Sequence, residues 1–85
     1  EVETRNMQEV SAAIQAGVDR IMLDNFSISE TKEAVEYIAG RTEVESSGGI
    51  THDTLVPYAE CGVDFISVGA LTHHIKGLDM SLKAL

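Results

Sequence analysis

The sequence predicts an α/β protein, a partial (β/α) barrel in which four parallel strands alternate with helices. Three observations carry that prediction. Short strand-like runs alternate with helical runs through brief loops, the pattern of βαβ units in a parallel sheet. Two of the strand-like runs end in glycine, at Ser47-Gly48-Gly49 and at Gly69, and each leads towards a helical run. Glycine lets backbone N–H groups come close to a ligand, and a helix start directs unpaired N–H groups at an anion. Two such loops on successive strand ends suit the phosphate site built after the last strands of a (β/α) barrel. Third, the chain echoes itself: Ala16 to Leu23 and Cys61 to Val68 both pass from a helix end through Gly-Val-Asp into a strand.

The elements follow in order. Glu1 to Thr4 reads as the first strand. Asn6 begins a helix, with Glu9 three residues on as its capping-box partner. Met7, Val10 and Ile14 recur at helical spacing, and Gly17 is the stop. Arg20 to Asp24 is the second strand. Ser27 and Glu30 cap a second helix, whose buried stripe is Thr31, Ala34, Val35 and Ile38 and which ends at Gly40. Thr42 to Ser46 is the third strand. Thr51 caps a third helix running to Gly62, bent in its first turns by Pro57. Phe65 to Val68 is the fourth strand. A short helix from Leu71 to Ile75 comes next, then a tail whose Leu78, Met80 and Leu82 pack against the body. No linker, low-complexity segment or domain boundary interrupts the chain, so residues 1–85 form one unit.

The chain has 85 residues, well below the ~250 of a complete (β/α)8 barrel, and so short a chain buries only a limited core. No apolar run approaches the ~20 residues of a membrane span, and the start lacks the basic and apolar regions of a signal peptide. The single cysteine, Cys61, lies in an apolar setting and reads as a buried structural thiol; a cytoplasmic location is the expectation. The formal charge is −8, from six Lys and Arg against fourteen Asp and Glu, which excludes the basic stripe that nucleic acid requires. The same balance sits awkwardly with a phosphate site. Either the loops bind through backbone N–H groups and a metal, or the cations come from elsewhere.

Alternation splits each strand into two faces. One carries Val2, Ile21, Leu23, Val44, Ile66 and Val68, suited to helix packing. The other, pointing into a barrel, carries Glu1, Glu3, Met22, Asp24, Glu43, Glu45, Ser47, Ser67 and Gly69, five of them carboxylates. Buried carboxylates require partners. Arg20 sits at the wrong end of its strand, so this face reads as half of a site whose basic half is missing. Glu3 and Asp24 end neighbouring strands, about 4.8 Å apart. They bind Mg²⁺ or ribose hydroxyls, or they are solvated strand-end acids. Glu43 and Glu45 are catalytic, or they pair with a missing Lys or Arg. Asn25 orients Asp24 or starts a turn. His73 reaches a phosphate or lies on the surface. The histidines and Cys61 lack the spacing of a zinc site.

Five co-linear stretches carry a resemblance. Glu1-Val2-Glu3, Met22-Leu23-Asp24-Asn25, Glu45-Ser46-Ser47-Gly48-Gly49-Ile50-Thr51, Val68-Gly69-Ala70-Leu71-Thr72-His73 and Leu78-Asp79-Met80-Ser81-Leu82 resemble the quinolinate phosphoribosyltransferase family. The resemblance spans the whole chain and implies that it forms about the C-terminal third of a typical member, within an incomplete α/β-barrel catalytic domain. It implies an enzyme of NAD synthesis that converts quinolinate and phosphoribosyl pyrophosphate to nicotinate mononucleotide, pyrophosphate and CO₂ with Mg²⁺, as a homodimer. Carried over by motif, Glu3 and Asp24 hold the ribose hydroxyls and Mg²⁺. Ser47, Gly48, Gly49, Gly69 and Ala70 bind phosphate, and His73 is similar to a histidine that reaches the phosphate in some members. The family's quinolinate-binding arginines, lysines and histidine have no counterpart here, so the 85-residue chain alone is expected to be inactive. Two other readings stay open: a different phosphate-handling (β/α)-barrel enzyme, and a non-catalytic association module.

Overall fold

The computed structural model describes residues 1–75. The strands are β1 (Val2–Thr4), β2 (Arg20–Asp24), β3 (Glu43–Ser47), β4 (Phe65–Val68) and β5 (Leu71–His74), and the helices are α1 (Met7–Ala16), α2 (Ile28–Ile38) and α3 (His52–Glu60). Among the described residues they form one sheet in chain order, β1-β2-β3-β4-β5. The first four strands are parallel, as the alternating pattern predicts. Each crossover carries one helix to the next strand, and right-handed crossovers in a constant direction set all three helices on one face.

Local signals explain the helix limits. The Asn6 side chain accepts from Glu9 N–H at 2.9 Å. Ser27 and Glu30 form the reciprocal capping box, with Glu30 N–H to Ser27 Oγ at 3.1 Å and Ser27 N–H to Glu30 Oε1 at 2.8 Å. Thr51 stands at the N-cap of α3 with extended backbone, and the helix continues through Pro57 to Glu60.

The core lies between the helices and the face predicted to bury. Ile21, Leu23, Val44 and Ile66 from the sheet meet Val10 and Ala13 of α1, Ala34 and Ile38 of α2, and Leu55 of α3. Each large aliphatic buried this way contributes about 1.5–3 kcal/mol. Thr31, fully buried, satisfies its hydroxyl on the Ser27 carbonyl at 2.8 Å. The echoed segments enter the same core, with Val63 buried and Val18 packed against it. Asp64, at the second echo, accepts from Val44 N–H at 2.9 Å and so ties the start of β4 to β3.

One predicted element differs. The segment expected as a helix from Leu71 to Ile75 contains β5, which pairs antiparallel with β4, from Val68 opposite Leu71 to Phe65 opposite His74. Gly69, at φ 61, takes the first central position of a two-residue turn with Ala70 second, the glycine-first pattern of a tight hairpin. A turn this short returns the chain along β4 before a helix can start. The predicted packing of Leu78, Met80 and Leu82 lies outside the described residues. Among those residues no helix is long and apolar enough to cross a membrane.

Cys61 is partly rather than fully buried, with its thiol directed at the Pro57 carbonyl at 3.4 Å. Burial pushes this thiol up, Glu60 adding to the rise and Lys32 opposing it. Because the thiolate is the reacting form, Cys61 will alkylate several-fold more slowly with iodoacetamide at pH 8 in the folded protein than in denaturant. Equal rates would show the thiol unprotected.

Candidate phosphate cleft and carboxylate pair

Parallel pairing brings the two glycine loops together. β3 and β4 are neighbours, with Ser46 opposite Ile66, so both strands end at the same edge of the sheet. A cleft of about 610 Å³ opens there, lined by the segment from Ser47 to His52 and by Ser67, Val68 and Gly69. Among the described residues, the N–H groups of Gly48, Gly49, His52 and Asp53 make no hydrogen bond, while Thr51 N–H donates to Thr54 Oγ1 at 3.0 Å. Successive free N–H groups beside a glycine turn form a concavity suited to an anion.

Gly48 has a reason of its own to be glycine. A Cβ there would lie 2.7 Å from Asn25 Oδ1 and 2.9 Å from Asn25 N, and the residue sits at φ 94. Asn25 itself is left-handed, at φ 61, and its N–H donates to the Ser47 carbonyl at 2.9 Å. Asn25 therefore locks the end of β2 onto the glycine loop of β3. At Gly69 a Cβ would meet nothing within 4 Å.

The carboxylates divide into two groups. At the N-terminal end of the inner face, Arg20 pairs with Glu43 at 3.2 Å, Glu45 at 3.7 Å and Glu1 at 4.0 Å. Its guanidinium also lies 3.7 Å from the Phe65 ring centroid, and Phe65 stacks on His74 at 4.8 Å. The partner that the sequence reading treated as missing is thus Arg20, whose long side chain reaches acids on both neighbouring strands. Glu45 is buried and also accepts from Ser67 Oγ at 2.7 Å. Burial pushes the Glu1 carboxyl up, and the adjacent Glu45 raises it further against the opposing Arg20 and the N-terminal amine.

Glu3 and Asp24 stand at the other end. The register places Glu3 opposite Met22, so it faces Asp24 diagonally rather than directly, at the roughly 7–8 Å of an offset pair. Asp24 pairs in register with Ser47, beside the cleft. Among the described residues the Asp24 carboxylate makes no hydrogen bond or ion pair, and Glu3 has only exposed Arg5, at 3.5 Å. No group of three or more His, Cys, Asp or Glu side chains converges among those residues. Two hard oxygen ligands, one uncommitted, suit Mg²⁺, which keeps several waters and shares its shell with substrate oxygens.

The structure thus brings together Ser47, Gly48, Gly49 and Gly69, with Asp24 next to them and Glu3 diagonal to it. Ala70 occupies the β4–β5 turn outside the lining. His73 lies on β5 opposite Ile66, exposed and not among the lining residues. His52, which the sequence reading did not single out, lines the cleft as the first residue of α3. Extending the glycine-loop motif one residue past its cap would have found it.

Parallel strands joined by helices, with glycine loops and acids at the C-terminal strand ends, define a segment of the (β/α)-barrel class. The profile described as "Quinolinate phosphoribosyl transferase, C-terminal domain" matches residues 1–83, and the chain belongs to that family. It is 46% identical to "Nicotinate-nucleotide pyrophosphorylase [carboxylating], chloroplastic" of Oryza sativa subsp. japonica, a match covering 98% of this chain and 26% of that protein. It is 44% identical to "Probable nicotinate-nucleotide pyrophosphorylase [carboxylating]" of Methanocaldococcus jannaschii, covering 96% and 31%. The solved nicotinate-nucleotide pyrophosphorylase of Francisella tularensis superposes with a TM-score of 0.76 at 47% identity, covering 87% of this chain and 27% of that one. The chain therefore spans less than a third of the length of these relatives.

Two substitutions separate conformation from close approach. Gly48→Ala must displace Asn25 as well as adopt a left-handed backbone, and should cost about 2–4 kcal/mol. Gly69→Ala carries only the backbone term, about 1–2 kcal/mol. Denaturant unfolding of the two variants should show the larger loss at Gly48; equal losses would mean that the Asn25 contact yields freely.

Proposed function

We propose that the protein containing this chain transfers the phosphoribosyl group of phosphoribosyl pyrophosphate to quinolinate, giving nicotinate mononucleotide, pyrophosphate and CO₂. The observation that carries the reading is the pairing of Asp24 with Ser47. It sets a carboxylate that is unpaired among the described residues beside a glycine-lined cleft, the arrangement that a ribose 5-phosphate needs. The phosphate takes the N–H groups of the Ser47–Gly49 loop and the open space at Gly69, and the ribose hydroxyls meet Asp24 and Glu3.

In the reaction the pyridine nitrogen of quinolinate forms a bond to C1 of the ribose while the bond from C1 to the pyrophosphate oxygen breaks. The carboxylate adjacent to the nitrogen then leaves as CO₂, and the electron pair left on that ring carbon takes up a proton from water. Positive charge gathers on the ribose ring in the transition state, and the fixed negative charges of Glu3 and Asp24 stabilise it. Glu3 and Asp24 would hold Mg²⁺, which when bound would supply positive charge against the leaving pyrophosphate. Quinolinate's own carboxylates need cations, and the Arg20 guanidinium is already committed to Glu1, Glu43 and Glu45. Those cations belong to the remainder of the longer protein. Pairing of two subunits and a cytoplasmic location complete the reading; the single cysteine suits a reducing compartment.

In the full-length protein, Glu3→Gln and Asp24→Asn should each lower kcat/KM for nicotinate mononucleotide formation by roughly 10²–10³. The double variant should fall by several orders of magnitude with the fold intact by circular dichroism. Chelation of divalent metal should abolish turnover, and added Mg²⁺ should restore it. Near-normal turnover of the double variant would remove both acids from the mechanism and favour an association role for this segment.

A further inference from the structure

Among the described residues, the lining of the cleft that would hold the phosphate includes neither lysine nor arginine. That lining, from Ser47 to His52 and from Ser67 to Gly69, is otherwise backbone, hydroxyl and aliphatic, and among the described residues His52 is the one side chain in it able to carry positive charge. We propose that His52 is the cationic contact for the phosphate monoester, a binding residue whose imidazolium joins the loop N–H groups. The proposal rests on the phosphate reading of this cleft.

Three features support the assignment. His52 is exposed, with no ion pair or hydrogen bond from its ring among the described residues, so its donors are available. His73, the histidine that the motif resemblance points to, lies outside the lining on β5. The chain carries a large negative excess, so a second anion entering this edge meets unfavourable charge unless a cation stands in the cleft. The other titratable groups on the surrounding elements are Asp53, Tyr58 and Glu60 on α3, Glu43 and Glu45 on β3, Asp24 at the end of β2 and His73 and His74 on β5. None of these lines the cleft, and β4 contributes none. Histidine changes charge between about pH 5 and 8, so the contact is strong on the acid side of that range and fades above it.

The test uses the full-length protein with inorganic phosphate as probe, calorimetry for affinity and NMR for the Gly48, Gly49 and Gly69 amides and histidine rings. Comparing variants at one pH cancels the ionisation of phosphate itself. His52→Ala should weaken phosphate binding roughly tenfold at pH 6 and hardly at all at pH 8.5, the scale of one charge-assisted hydrogen bond. His52→Lys should retain tight binding at both pH values, which a merely structural role would not predict. If the glycine amides respond but His52→Ala binds as wild type at pH 6, or if His73→Ala takes the loss instead, the proposal is overturned while the phosphate cleft stands. If the glycine amides do not respond, the phosphate reading fails and the proposal with it.

Discussion

The arrangement at the C-terminal edge of the sheet depends on the close approach of Asn25 to Gly48. Asn25 N–H holds the Ser47 carbonyl, and the amide side chain occupies the volume that any Cβ at position 48 would fill. That contact fixes the end of β2 against the loop leaving β3. Asp24 consequently stands beside Ser47 instead of swinging with a free loop, and α3 begins at a defined height above the strands. The loop's glycine thus serves two requirements. Its missing side chain admits Asn25 from one side, and its backbone leaves N–H groups free on the other.

Electrostatics then sort the acids of the inner face. Five carboxylates on one side of a small sheet cannot all lose water unpaired. Arg20 satisfies three of them at the N-terminal end, with Phe65 beneath its guanidinium and Ser67 completing the shell of buried Glu45. Among the described residues, Glu3 and Asp24, towards the cleft end, are left without a strong partner. The two ends of the face therefore differ in kind. One is bridged by a shared guanidinium and belongs to stability. The other keeps oxygen ligands uncommitted, and carboxylates in that condition can bind a metal or a sugar.

Much of this was legible in the sequence, for reasons that the structure makes specific. The parallel order and the helix-facing stripe were readable because Ile21, Leu23, Val44 and Ile66 alternate strictly and the capping residues Asn6 and Ser27 act locally. The meeting of the two glycine loops followed from strand order alone. What alternation could not reveal was reach and return. Arg20 lies at the start of its strand, yet its side chain is long enough to serve Glu1, Glu43 and Glu45. The pattern after Gly69 did not distinguish a helix from a hairpin, because four exposed residues bear little imprint of period. The diagonal offset of Glu3 from Asp24 depends on register, which a three-residue strand hardly encodes.

The mistake at β5 bears directly on the site. Had Leu71 to Ile75 been a helix, its start would have offered a second set of N–H groups to an anion, and His73 would have stood near them. As a hairpin the segment spends alternate N–H groups on β4 and its side chains on the two sheet faces, so Ser67 and Thr72 meet at 2.9 Å while His73 turns away. Among the described residues, the unpaired N–H groups beside the cleft thereby lie in one loop, from Ser47 to Asp53, rather than in two. Gly69 contributes by leaving space, since nothing would oppose a Cβ there. One loop of donors, one open wall and one adjacent carboxylate make a directional concavity: an anion seated on the N–H groups would leave whatever is attached to it extending towards Asp24.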